Sequence, residues 1–232
     1  MTTRGKLIAV EGIDGSGKGT QVRLLARELD SQGYRVLSTG FPQYESWFGK
    51  MVGQFLNGDF GPLDSVDPHF TALLYAGNRF ECKQPIVEAL ESGGVVLADR
   101  YIASNLAHQT VLSAPEKRDE FRAWIEHLEY RIYGLPTEDL VLYLRLPPSE
   151  AQTLVAKKSL REYTDSAHDI LESDLRHLQD AADMYEVLSR RPNWKTIDCF
   201  DSGKRAVRPA EEISADILAA VLPCLGAQRA KP

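Results

Sequence analysis

The stretch AVEGIDGSGKGTQ, residues 9–21, carries an apolar run through three glycines to a lysine, then a fourth glycine, and on into polar helix-forming residues. No other feature narrows the fold as much. Gly12 and Gly17 bracket a turn, and Gly15 and Gly19 add backbone freedom, so that N–H groups converge at the start of the next helix. A helix N-terminus carries positive partial charge, and such a turn cradles phosphate. Lys18 supplies the point charge expected at the β- and γ-phosphates of a nucleotide. The predicted phosphate-binding set is Gly12, Gly15, Ser16, Gly17, Lys18, Gly19 and Thr20. One position departs from G-x-x-x-x-G-K-[ST]: Gly19 stands where a hydroxyl normally meets Mg²⁺, and the nearest hydroxyl is one residue later, on Thr20. The metal is therefore expected on Asp14, inside the loop, and Asp99, at the end of a later strand, together with water. Mg²⁺ usually takes only one or two carboxylates.

Short β-branched runs recur at 7–10, 35–41, 94–99, 140–146 and 194–199, with helically spaced segments between them. Val22, Leu25, Ala26 and Leu29 give the helix after the glycine loop one apolar stripe. Strand alternating with helix predicts an α/β fold of three layers, α/β/α, with a five-stranded parallel sheet flanked by helices. No repeat or Gly/Ser linker interrupts the chain, so one domain is expected over residues 1–232. Residues 150–190 read as two helices joined by a charged connection, and 226–232 as a frayed tail.

The formal charge of −6 argues against a general nucleic-acid or anionic-membrane binder. An anionic ligand must then be met by a local basic site. Cys82, Cys199 and Cys224 are too widely spaced for a zinc site and read as buried thiols in a reducing compartment. The N-terminal apolar run is short for a signal peptide, and a cytoplasmic protein is expected.

At ADRYIASNLAHQ, residues 98–109, a family becomes visible. D-R-Y-x-x-S after a strand, with the glycine loop and FPQY at 41–44, resembles the thymidylate kinases, phosphate-loop enzymes that phosphorylate dTMP with ATP. LLYAGNRFE at 73–81, GLPTEDLVLYL at 134–144 and REYTDSAHDILESD at 161–174 extend the similarity from Leu7 to about Cys199. The resemblance implies a P-loop kinase fold with a short helical lid at about 155–175, Mg-ATP as donor, and a homodimer formed through helices beside the sheet. It also implies that Arg100 grips the acceptor phosphate as a bidentate fork, and that thymine lies between Tyr75 and Arg79. Ser104 and Asn105 match positions near the nucleotide, Tyr44 matches as a sugar or phosphate partner, and Gln109 or His108 is expected to help read the acceptor's base or sugar. Asp169 and Glu172 match an acidic lid pair that approaches the acceptor and its metal, while Leu171 replaces an aromatic found in some members.

The same residues make chemical sense unaided. Phosphoryl transfer needs two polyanions held together and the charge on the moving group stabilised from several loops. Tyr75 precedes Arg79 by four residues, which puts a ring and a guanidinium on one helix face. His108, read as an exposed histidine, has no catalytic part to play. Some family members carry an arginine inside the glycine loop and others supply it from the lid. Gly15 occupies the loop position here, so the cation is expected from Lys157, Lys158 or Arg161, with Arg161 first. Gln43 replaces an arginine common in relatives, which removes an expected phosphate contact.

Two other readings compete. GKGTQ is spelled like an adenylate kinase loop, which keeps an AMP- or UMP-type acceptor in view, although no proline precedes the GKGT. A nucleotide-dependent switch ATPase would share the loop but would need no acceptor site.

Overall fold

The computed structural model describes residues 4–156 and 175–226. Its centre is a parallel sheet in the order β2-β3-β1-β4-β5, formed by β1 (Lys6–Glu11), β2 (Val36–Gly40), β3 (Val95–Asp99), β4 (Leu140–Arg145) and β5 (Trp194–Asp198). All five strands fall on the five β-branched runs, and every neighbouring pair is parallel. Residues Leu7–Val10, Val95–Ala98 and Val141–Leu144 are buried throughout. A strand apolar on both faces needs helices on both sides of it, which is the three-layer arrangement.

The helices are α1 (Lys18–Ser31), α2 (Trp47–Leu56), α3 (Pro68–Glu81), α4 (Lys83–Glu91), α5 (Ile102–Thr110), α6 (Arg118–Glu126), α7 (Pro148–Ala156), α8 (Leu175–Leu188) and α9 (Ala210–Leu225). α1 and α9 pack on each other, and α5 packs on α3, α6 and α8. A π-helical turn, His127–Ile132, continues α6. Two-residue strands β6 (Phe200–Asp201) and β7 (Ala206–Val207) pair antiparallel after β5, a hairpin too short to read from the sequence.

Local chemistry explains the helix starts that matter here. α3 begins at Pro68, whose fixed φ suits the first helical position, behind Asp67, which accepts from the His69 N–H at 2.7 Å. α2 starts behind Ser46, whose hydroxyl accepts from the Gly49 N–H. Together α2 and α3 enclose a small separate core of Val52, Phe55, Leu56 and Leu74. The chain ends of β1, β2 and β3 lie level, with Val10 opposite Asp99 and Gly40 opposite Asp99. A parallel sheet binds ligands at these carboxyl ends, where successive strands depart to opposite sides.

Cys199 is buried as expected, but Cys82 and Cys224 are only half-buried, and all three are free thiols. Among the described residues no helix is long and apolar enough to cross a membrane. Most of the expected lid and the tail beyond Gly226 lie outside the described residues.

Candidate active site

At the strand ends opens a cavity of about 490 Å³. The phosphate loop gives it Asp14, Gly15, Gly17, Lys18 and Gly19, and the end of β2 gives it Tyr44. Tyr75 and Arg79 enter from α3, and Asp99, Arg100, Ser104, Asn105, His108 and Gln109 from the end of β3 and from α5. Gly12, Ser16 and Thr20 lie outside this lining, and Thr20 is exposed, its Oγ1 accepting from Arg23 at 3.3 Å. Gln43 turns away, donating to Thr39 Oγ1 at 2.9 Å, while Asn78 clips its backbone at both N–H and carbonyl. Lys157, Lys158, Arg161, Asp169, Leu171 and Glu172 lie outside the described residues.

The loop enters α1 through Gly17, at φ 89°, and no side chain caps the helix. The N–H groups of Lys18 and Gly19 therefore keep their capacity for an anion, while that of Thr20 donates to the Gly17 carbonyl at 3.0 Å. Lys18 donates from Nζ to the Gly12 and Ile13 carbonyls, both at 2.9 Å, and is buried under the loop. Burial and the nearby Arg100 push its ammonium down to about 8. Gly15, at φ +87°, comes so close to α7 that a Cβ there would sit 2.3 Å from the Ala151 carbonyl oxygen. A Cβ on Gly19 would lie 2.9 Å from Asp99 Oδ2, so this glycine leaves the carboxylate its room.

Arg100 has φ 67°, a left-handed backbone that disfavours any side chain by roughly 1–2 kcal/mol. A buried carboxylate holds it there. Glu11, the last residue of β1, accepts from the Tyr101 N–H at 2.6 Å, the Ser104 hydroxyl at 2.6 Å and the Tyr185 hydroxyl at 3.0 Å. It thereby fixes the start of α5 against β1 and α8. Arg100 in turn donates from Nη2 to Asp14 Oδ1 at 2.5 Å and from Nη1 to Ser104 Oγ at 2.9 Å. Burial works against ionisation of Asp14, yet the charges of Arg100 and Lys18 outweigh it and hold the carboxyl far below the usual range.

His108 is buried, which corrects the expectation of an exposed histidine. Its Nε2 faces Arg100 Nη1 at 3.5 Å and its Nδ1 faces His177 Nε2 at 3.3 Å. Burial, Arg100 and His177 together hold it well below its ordinary pKa, so the ring is neutral at pH 7.

Arg79 is fully buried and paired with Glu129, Nε to Oε2 at 2.5 Å and Nη2 to Oε1 at 2.6 Å. Asn105 donates to the same Oε1 at 2.7 Å and to the Ala72 carbonyl at 3.1 Å. Its Oδ1 is buried without a hydrogen-bond partner among the described residues. Gln109 accepts from Thr71 Oγ1 at 2.6 Å.

Glu11, Glu129, His177 and Tyr185 escape the sequence reading. Glu11 had a signal, a carboxylate closing a buried strand just before Gly12. Glu129 had none, since it sits 50 residues beyond Arg79 on a turn with no motif.

Comparison with known proteins adds to this geometry. The family model described as thymidylate kinase matches residues 10–209. A probable thymidylate kinase of Thermococcus gammatolerans is 35% identical over 166 residues, 69% of this chain and 75% of the relative. Another, from Pyrobaculum calidifontis, is 30% identical over 92% of this chain and 94% of its own length. In fold, the chain superposes on the thymidylate kinase of Candida albicans with a TM-score of 0.73 at 20% identity, over 94% of this chain and 91% of that one. The family match begins within β1 and ends one residue before α9, taking in every element that lines the cavity, and on that ground the chain belongs to the thymidylate kinase family.

Proposed function

We propose that this chain transfers the γ-phosphoryl group of Mg-ATP to dTMP, giving dTDP and ADP. The observation that carries the choice of acceptor is the pairing at the cavity floor. Glu129 occupies one edge of the Arg79 guanidinium and both amide hydrogens of Asn105 are spent, which leaves Arg79 Nη1 as a donor and Asn105 Oδ1 as an acceptor. A donor beside an acceptor complements the imide edge of thymine, a carbonyl beside an N–H, and Tyr75 lines the cavity as a ring for the base face.

The donor's phosphates then lie on the glycine loop, held by the N–H groups of Gly15–Gly19 and by Lys18, while Arg100 takes the acceptor phosphate through its fork. Asp14 orients Arg100. Arg161, Asp169 and Glu172 remain proposals for the lid. Catalysis is then positioning plus charge stabilisation, with water excluded from the transferring group. For the metal, the donor set fits a carboxylate from Asp99, since Gly19 leaves space beside it, with Asp14 next to it though already paired to Arg100. No cluster of three or more ligating side chains exists among the described residues, so the nucleotide phosphates and water must complete the shell. When bound, Mg²⁺ would neutralise charge on the donor's phosphates.

A homodimer is the proposed assembly. α3 leaves Phe70, Leu73 and Phe80 partly exposed and α2 leaves Trp47 out, an apolar surface suited to helix pairing between copies. Free thiols fit a reducing cytoplasm.

Coupled ADP release with Mg-ATP against dTMP, dUMP, dCMP, AMP and UMP tests this reading. Fastest turnover is expected with dTMP. An acceptor panel led by AMP or UMP would refute the assignment, and turnover that no monophosphate raises would refute the kinase activity.

A further inference from the structure

Glu129 lies beneath the cavity rather than on its wall, and it is wholly buried. It sits in the π-helical turn His127–Ile132, a rare geometry that concentrates at functional sites. Its two oxygens accept three N–H groups from two different helices: Arg79 Nε and Nη2 from α3, and Asn105 Nδ2 from α5. Buried ion pairs are poor stabilisers, because desolvation offsets most of the attraction, and an apolar pair of similar volume packs as well. What the carboxylate does achieve is orientation.

Two orientations follow from it. With the Nε and Nη2 edge of Arg79 engaged, the guanidinium plane is fixed and Nη1 is the remaining arm. Asn105 is fixed more strictly. Turning its amide over would set Oδ1 against the Glu129 carboxylate and the Ala72 carbonyl, two acceptors facing an acceptor. Glu129 therefore decides which amide atom of Asn105 is offered to the acceptor base.

We propose that Glu129 is a positioning residue that sets the base selectivity of the acceptor site, by holding Arg79 as donor and Asn105 as acceptor. The inference rests on the thymine-edge reading above. A base with a carbonyl beside an N–H, thymine or uracil, matches that polarity. Cytosine, with an amino group beside an unprotonated ring nitrogen, presents a donor to Arg79 and an acceptor to Asn105, and is refused on both. Glutamine at 129 would keep the shape but bring an NH₂ among three donors, which frees the Asn105 amide to turn.

The test is the steady-state kinetics of Glu129→Gln with dTMP and dCMP at saturating Mg-ATP. KM for dTMP is expected to rise at least tenfold with kcat within about threefold, and the ratio of kcat/KM for dTMP over dCMP to fall at least tenfold. That ratio does not depend on the fraction of enzyme folded, so a purely structural role would leave it unmoved. Glu129→Asp, which keeps the charge and shortens the reach, is expected to shift the ratio in the same direction by less, and it decides the matter if Glu129→Gln fails to fold. An unchanged ratio in the folded variants overturns the role of Glu129 while leaving the dTMP reading intact. A wild-type enzyme that does not prefer dTMP to dCMP overturns the thymine-edge reading itself, and this inference with it.

Discussion

Arg100 and Asp14 meet across the mouth of the phosphate loop, Nη2 to Oδ1 at 2.5 Å, with both side chains lining the same cavity. In the proposed reaction the contact ties the acceptor's cation to the donor's loop. Arg100→Lys is expected to restore little of what Arg100→Ala loses, because an ammonium cannot reach Asp14 and Ser104 together and still present a fork. Both should lower kcat/KM for dTMP by about 10²–10³, the usual effect of removing one oriented donor to developing charge. A lysine variant within tenfold of wild type would show that a point charge suffices.

Lys18 gives the enzyme an alkaline limit. Its ammonium is pushed down to about 8 by burial and Arg100. A neutral amine cannot hold phosphate, so kcat/KM for ATP, which reports the free enzyme, should fall about tenfold per pH unit above that value. Lys18→Arg should remove the bend, and Lys18→Ala should lose about 10²–10³ in kcat/KM, with Thr20→Ala milder. Stability should move the other way. The unfolded chain keeps this proton to about 10.5 and the folded chain only to about 8, so this group favours folding increasingly as pH rises between them.

Gly15→Ala is expected to destabilise the protein by roughly 2–4 kcal/mol, combining a left-handed backbone with a forced overlap. The Cβ has nowhere to go, since the Ala151 oxygen stands 2.3 Å from its position. A fall in Tm of roughly 5–15 °C is the corresponding readout. Gly17→Ala is the control, with the same handedness and nothing within 4 Å of its Cβ.

Asp99 is expected to set the magnesium requirement. Asp99→Asn should raise the Mg²⁺ concentration for half-maximal rate at least tenfold, with kcat largely recovered at high metal. Gly19→Ala should raise it too, because the new Cβ would press on Asp99 Oδ2 from 2.9 Å. Titration of rate against Mg²⁺ at fixed ATP checks both.

The strands and the loop were legible because they obey local rules: β-branched runs bounded by turns, glycines before a lysine, an aspartate at a strand end. Tyr75 and Arg79 were legible because helical spacing alone puts them on one face. Glu129 was not, because its partners come from α3 and α5 and only the packing of a π turn unites them. His108 was misjudged for a similar reason: its burial depends on His177 and Tyr185, both on α8, which no neighbouring residue announces. Glu11 reads as the end of an apolar run until the fold brings Tyr101, Ser104 and Tyr185 to its two oxygens.

The close approach of Gly15 to the carbonyl of Ala151 also constrains descent. The two positions form an epistatic pair in which one partner is backbone. An arginine codon at position 15 is barred while α7 keeps its seat, so a lineage that moves its cation into the loop must first shift the helix. The order of those steps is set by a distance: α7 has to move before position 15 can carry a side chain.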